Sequence, residues 1–145
     1  MKGRLSRAIF WALIGTFIAT AGWFFFAANN EIARGASFEI FLITSGVILV
    51  LLGTALIIIT VKEKATGLLK ISLILTGAGA IGIPVSIVLH NAIYALFVYF
   101  SGEGFWDRIG LGDEPFFFIM AIVVCPLGFL IGAVGSIVLT FRRPE

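Results

Sequence analysis

Four stretches without a single charged side chain set what this sequence can fold into. They run Ala8–Asn30, Ile40–Val61, Ile71–Gly102 and Pro115–Phe141, which are 23, 22, 32 and 27 residues. A helix needs about 20 apolar residues to cross a hydrocarbon core of roughly 30 Å, and every stretch is long enough. Lipid offers no hydrogen bonds, so a spanning segment must satisfy its backbone internally, which favours helix. The stretches are too long and too uniformly apolar for the alternating strands of a membrane barrel. A soluble domain carries charge on roughly a quarter of its residues. Here charge falls to 12% of the 145 residues, and it is clustered between the apolar runs. The expected fold is an all-α integral membrane protein with helices over about residues 8–28, 38–61, 68–100 and 115–141.

The first stretch has some features of a cleaved signal sequence. "MKGRLSR" is a basic leader and Ala19-Thr20-Ala21 resembles a small-residue cleavage site. The apolar run continues past it through "GWFFFA", where a signal sequence turns polar, so the expectation is a retained helix.

The connections, "NNEIARGASF", "KEKATGLLK" and "SGEGFWDRIGLGDE", are about ten, nine and fourteen residues, which leaves no room for a second domain. Connections this short place consecutive helices side by side and antiparallel, an up-down-up-down bundle. Of the ten basic residues, eight then share one side: Lys2, Arg4, Arg7, Lys62, Lys64, Lys70, Arg142 and Arg143. Arg34 and Arg108 lie opposite, together with Glu31, Glu39, Glu103, Asp107, Asp113 and Glu114. Lys and Arg concentrate on the cytoplasmic face. The expectation is a multi-pass protein of the plasma membrane with both termini in the cytoplasm. The isoelectric point of about 9.0 does not imply nucleic acid, because the cations are juxtamembrane clusters that match anionic lipid headgroups.

The third run departs from a simple span. At 1.5 Å per residue, 32 helical residues reach roughly 48 Å, well beyond the hydrocarbon thickness. It contains "GAGAIGIP", and Pro84 cannot donate to the carbonyl of Ala80, so a long helix kinked near Pro84 is predicted. The fourth run has a marked start, with Asp113 and Glu114 immediately before Pro115.

Glycines recur in pairs seven apart: Gly15 with Gly22, Gly46 with Gly53, and Gly128 with Gly135, with Gly132 completing a GxxxG. Seven residues are two helical turns, so each pair shares a face. Small residues let helices approach closely in lipid, and these positions are read as packing seams rather than as a pore lining, which would carry polar residues on the same face.

The polar exception is "IVLHNAIY". His90, the only histidine, and Asn91 sit inside the longest uncharged run. Ser86, His90 and Tyr94 are spaced by four and fall on one face, with Asn91 on its flank. A span entering near Lys70 brings His90 to the side of the acidic connections, at the depth of Glu39, Asp113 and Glu114. An unpartnered imidazole in a membrane is costly, so His90 is expected to pair at that end of the bundle with a carboxylate or a backbone carbonyl near Glu114. This is a structural bond in the plainer reading and a proton- or cation-responsive site in the sharper one.

Several chemistries are disfavoured. One histidine cannot supply two haem ligands and is a poor metal motif alone. A single cysteine, Cys125, forms no intrachain disulfide and no redox pair. The spans carry no mid-membrane carboxylate, and the chain has no HExxH, GxSxG or phosphate-binding loop. Ser86 and His90 have no carboxylate in their own segment to orient the imidazole. The sequence therefore points to a non-enzymatic membrane protein without cofactor or metal. It is read as a structural, assembly or accessory subunit that packs through glycine-rich faces in a homo-oligomer or a larger membrane complex. The alternative is a small transporter or ion-conducting oligomer with a responsive site at His90.

Overall fold

The computed structural model describes residues 4–30 and 35–141. Lys2, Glu31, Arg34, Arg142, Arg143 and Glu145 therefore lie outside the described residues, as does part of the charge asymmetry read from the sequence. Four long helices carry the chain: α1 (Arg4–Ala28), α2 (Ala36–Lys62), α3 (Gly67–Ser101) and, after the single turn α4 (Phe105–Arg108), α5 (Pro115–Phe141). All four are long and apolar enough to cross a membrane. They start and stop within a few residues of the uncharged runs, because charge and glycine, rather than changes in hydrophobicity, mark the ends. The result is an all-α, four-helix membrane bundle. One end collects Arg4, Arg7, Lys62, Lys64 and Lys70 and is called the basic end below; the other carries Glu39, Glu103, Asp107, Asp113 and Glu114 and is called the acidic end.

α3 is the centre of the bundle, packed between α2 on one side and α5 on the other, while α1 lies against α2. α1 also reaches α5 through a ring contact, Phe17 stacking on Phe129 at 4.2 Å. The core joins Phe10 and Leu13 of α1, Leu49 and Leu56 of α2, Leu69, Leu73 and Ala80 of α3, and Phe129 and Ala133 of α5. The opposite faces are equally apolar, with Ile43, Leu51, Val88 and Ile131 all exposed, as helices bathed in lipid require.

The helices approach closely at glycines, but only some are those singled out by spacing. Gly53 and Gly77 face each other across α2 and α3, where a Cβ on either would lie 2.8 Å from the other's carbonyl oxygen. Gly46 lies against the Pro84 ring, with its Cβ position 3.3 Å from the proline Cβ. On the α5 side, a Cβ on Gly132 would meet the Thr76 nitrogen at 2.6 Å, and one on Gly135 would meet Ser72 Oγ at 2.8 Å. Gly128 is in ordinary contact with Leu75. Gly15 and Gly22 do not belong to a seam inside this chain: both are exposed, with nothing within 4 Å of a Cβ. Seven-residue spacing puts them on one face of α1, but that face turns away from the bundle.

Conversely, Gly79 and Gly82 are seam residues that the pairing by seven passes over. A Cβ on Gly79 would sit 2.6 Å from the Phe129 nitrogen and 2.8 Å from the Cys125 oxygen, and one on Gly82 would meet Cys125 Sγ. The segment "GAGAIG" thus serves two faces, Gly77 toward α2 and Gly79 and Gly82 toward α5. Several hydroxyls within the spans are bound by their own helix: Thr16, Thr60, Thr76 and Thr140 each donate to the carbonyl four residues back, whereas the buried Ser136 hydroxyl has no hydrogen-bond partner among the described residues.

α3 is helical on both sides of Pro84 and, at 35 residues, is about 52 Å long. α5 has an irregularity not anticipated from the sequence, a π-helical turn at Met120–Val124, in which the Cys125 N–H donates to the Met120 oxygen. Pro126 follows directly and has no N–H for the Ile122 carbonyl. A wider turn just before a proline relieves the clash of its ring with the preceding turn. "CP" inside an apolar run was the available signal.

Candidate site at the acidic end

The register of the seams fixes the depth of the polar residues. With Gly53 opposite Gly77 and Gly46 opposite Pro84, α2 and α3 are antiparallel, and another seven residues bring Glu39 level with Asn91. On the other side α5 begins level with His90. His90 is 20 residues beyond Lys70 in sequence, about 30 Å along the helix, which is the thickness of a hydrocarbon core.

Glu114 organises the start of α5. Its side chain is the N-cap: Oε1 accepts from the Phe116 N–H and Oε2 from the Phe117 N–H, each at 2.9 Å. Pro115 at the first helical position has no N–H to satisfy. The Glu114 N–H in turn donates to Asp113 Oδ1 at 2.7 Å. Glu114 is only 4% exposed, and its charge lies at the end of the helix where the backbone dipole is positive.

His90 reaches across from α3 to this cap. Its Nδ1 lies 3.1 Å from the Glu114 backbone oxygen and 3.3 Å from Glu114 Oε2. A carbonyl oxygen only accepts, so Nδ1 carries the hydrogen and the tautomer is set. Nε2 then points toward Asp113, with 3.7 Å to Oδ2, beyond hydrogen-bond length but within reach of an ion pair when the imidazole is protonated. The Phe118 ring covers the imidazole at a centroid distance of 5.7 Å.

The connection between α3 and α5 is ordered by packing. Gly102, at φ 84°, ends α3, and Gly112, at φ 68°, turns the chain back into Asp113; both angles are strained for residues with a side chain. Arg108 donates to the Ser101 oxygen at 2.6 Å and so satisfies a terminal carbonyl of α3. Trp106 is buried, lies parallel to Tyr94 at 6.0 Å, meets Phe97 edge-on, and donates its indole N–H to the Tyr94 oxygen. Trp106 thereby fastens the connection to α3. Beside it opens a cavity of about 230 Å³ lined by His90, Asn91, Tyr94, Gly112 and Asp113.

Of the residues singled out by sequence, His90, Glu114 and Asp113 come together, with Tyr94 on the cavity wall. Asn91 also lines the cavity, but its amide donates to the Ile87 oxygen one turn back rather than across the bundle, because its flank of α3 is exposed. Ser86 is buried and makes no hydrogen bond to His90 among the described residues; helical spacing aligned the two without bringing them into contact. Glu39 shares the depth of the site but stands exposed on α2, away from the cavity. No group of three or more metal-ligating side chains occurs among the described residues. No family model, curated protein or solved structure matches the chain.

Proposed function

We propose that this membrane protein is a non-enzymatic assembly or accessory subunit that associates through the outward face of α1, in the first instance with a second copy of itself. The carrying observation is the position of Gly15 and Gly22, which with Ala19 form an exposed small-residue stripe, one or two turns apart, on the least buried of the four helices. Only 11% of the most apolar stretch of α1 is buried within the chain, against 33% for α3. Helices in lipid gain little from hydrophobicity and much from close van der Waals approach, which small residues permit. The tight glycines of this bundle already show that mode of packing within the chain. The skew of basic residues supports a plasma-membrane orientation with the basic end and both termini in the cytoplasm.

The test is disulfide crosslinking in native membranes of Ala19→Cys in a Cys125→Ser background. A product of twice the chain mass is expected. A heavier product containing an unlike chain would place the stripe against a larger complex, and no product at all would remove α1 as the contact face. The open cavity beside His90 favours a second reading, an ion-conducting oligomer or small transporter. A proton or cation leak in proteoliposomes that His90→Gln abolishes would establish it.

A further inference from the structure

The His90–Asp113 gap differs from the rest of the site, where each donor meets an acceptor. Nδ1–H is held by the Glu114 carbonyl, so a neutral imidazole turns the lone pair of Nε2 toward the Asp113 carboxylate 3.7 Å away. Two acceptors then face each other. An imidazolium donates at both nitrogens, keeps its bond to Glu114 and pairs with Asp113 through Nε2. We propose that this gap is a proton-binding site open to the medium at the acidic end, and that its occupancy decides how firmly the segment between α3 and α5 is held on α3.

The surroundings leave few other groups to take part. Asp113 and Glu114 are the charged groups against the imidazole from the α5 side. On α2, Glu39 stands at the same depth but away from the cavity. On α4, Arg108 is occupied by the Ser101 oxygen, and Asp107 is exposed. Tyr94 is the nearest titratable group on α3 itself, on the cavity wall. Glu114 is fixed by its two backbone bonds, so a change in charge at His90 acts on Asp113, whose side chain is half-exposed. Asp113 follows Gly112, a pivot at positive φ. Several attachments hold the connection to α3: His90 Nδ1–H on Glu114, Arg108 on the Ser101 oxygen, Phe105 on Phe97, and Trp106 on Tyr94 and Phe97. The His90–Asp113 pair is the one that a proton from the medium makes or breaks, and its loss frees Asp113 beside the Gly112 pivot and loosens the segment that carries Trp106.

Trp106, only 7% exposed, reports on that segment. In a Trp11→Phe, Trp23→Phe background it is the sole indole, and its emission can be followed in the detergent-solubilised full chain from about pH 5 to 8, where histidines ordinarily change charge. The expected result is a shift to longer wavelength as pH rises, with a one-proton profile, as the segment loosens and the indole meets water. His90→Gln and Asp113→Asn should both flatten the curve, while Glu103→Gln, an exposed change in the same segment, should leave it intact. Should His90→Gln fail to fold, Asp113→Asn carries the test, because its side chain is half in solvent. A flat parent curve, a shift of opposite direction, or an Asp113→Asn protein that keeps the full transition would overturn the proposal. None of these outcomes depends on whether α1 associates with a partner.

Discussion

Gly53 of α2 and Gly77 of α3 lie back to back, each closing the space into which the other's Cβ would project, 2.8 Å from a carbonyl oxygen. That contact sets the register of α2 on α3, as Gly79 and Gly132 set that of α5. Once three helices are locked in register, His90 has no choice of depth: it meets the start of α5, where Glu114 presents both a carbonyl and a carboxylate.

The seams are therefore expected to tolerate no added atom. Gly79→Ala and Gly132→Ala place a methyl against backbone atoms at 2.6 Å, which cannot swing aside as a side chain can. Each should destabilise the bundle by about 1–3 kcal/mol. Gly128→Ala, where the nearest atom is a leucine methyl at 3.6 Å, and Gly15→Ala, with open space, should be neutral or slightly stabilising. Unfolding midpoints in detergent rank the four; equal midpoints would remove the seams as determinants.

Glu114 should matter as a cap before it matters as a charge. Glu114→Ala frees two backbone N–H groups and leaves Nδ1 of His90 with only the backbone oxygen, for an expected loss of about 1–2 kcal/mol. Glu114→Gln should fall between alanine and the parent, because it keeps one acceptor but turns an NH₂ group toward an N–H. The same unfolding measurement decides it. An alanine variant as stable as the parent would show that the cap contributes nothing.

The π-turn before Pro126 should set the phase of the site. Inserting one alanine after Val123 adds a residue that the already wide turn cannot absorb and rotates Pro115–Ile119 by about 100° relative to the rest of α5. Glu114 then leaves His90. A double-mutant cycle of His90→Gln with Glu114→Gln should give a coupling of about 1 kcal/mol in the parent and close to zero in the insertion. Undiminished coupling after the insertion would separate the turn from the site.

Orientation has its own expected outcome. Cysteines introduced singly at Gly104 and Lys64 in a Cys125→Ser background sit at opposite ends of the bundle. An impermeant maleimide on intact cells should label position 104 and spare 64. The reverse pattern would invert the assignment.

The sequence made some of this legible because charge is scarce. Where a charge appears it must lie at a helix end, so the spans, the connections and the depth of His90 follow from counting, and Asp113-Glu114-Pro115 declares a helix start. Azimuth was not legible in the same way. In a soluble bundle the polar face marks the outside, but here Ile43 and Leu51 on the outside are as apolar as Leu49 and Leu56 within. Spacing alone put Gly15 with Gly22 and Gly46 with Gly53 on equal footing, although only the second pair meets another helix. The same ambiguity drew Asn91 and Glu39 toward His90: depth was right, and direction around the helix was not available. The π-turn has no signature in hydrophobicity, because Pro126 stands inside an unbroken apolar run and is the one residue there that marks it.

The association attributed to α1 is tested most directly by mass. The molar mass of the detergent-released protein, corrected for bound detergent, should correspond to two chains. The Gly15→Leu, Gly22→Leu variant should run as one chain that still folds, because neither residue's Cβ position meets the rest of its own bundle. A parent of single-chain mass, or a variant that keeps the parent's mass, would contradict association through this face.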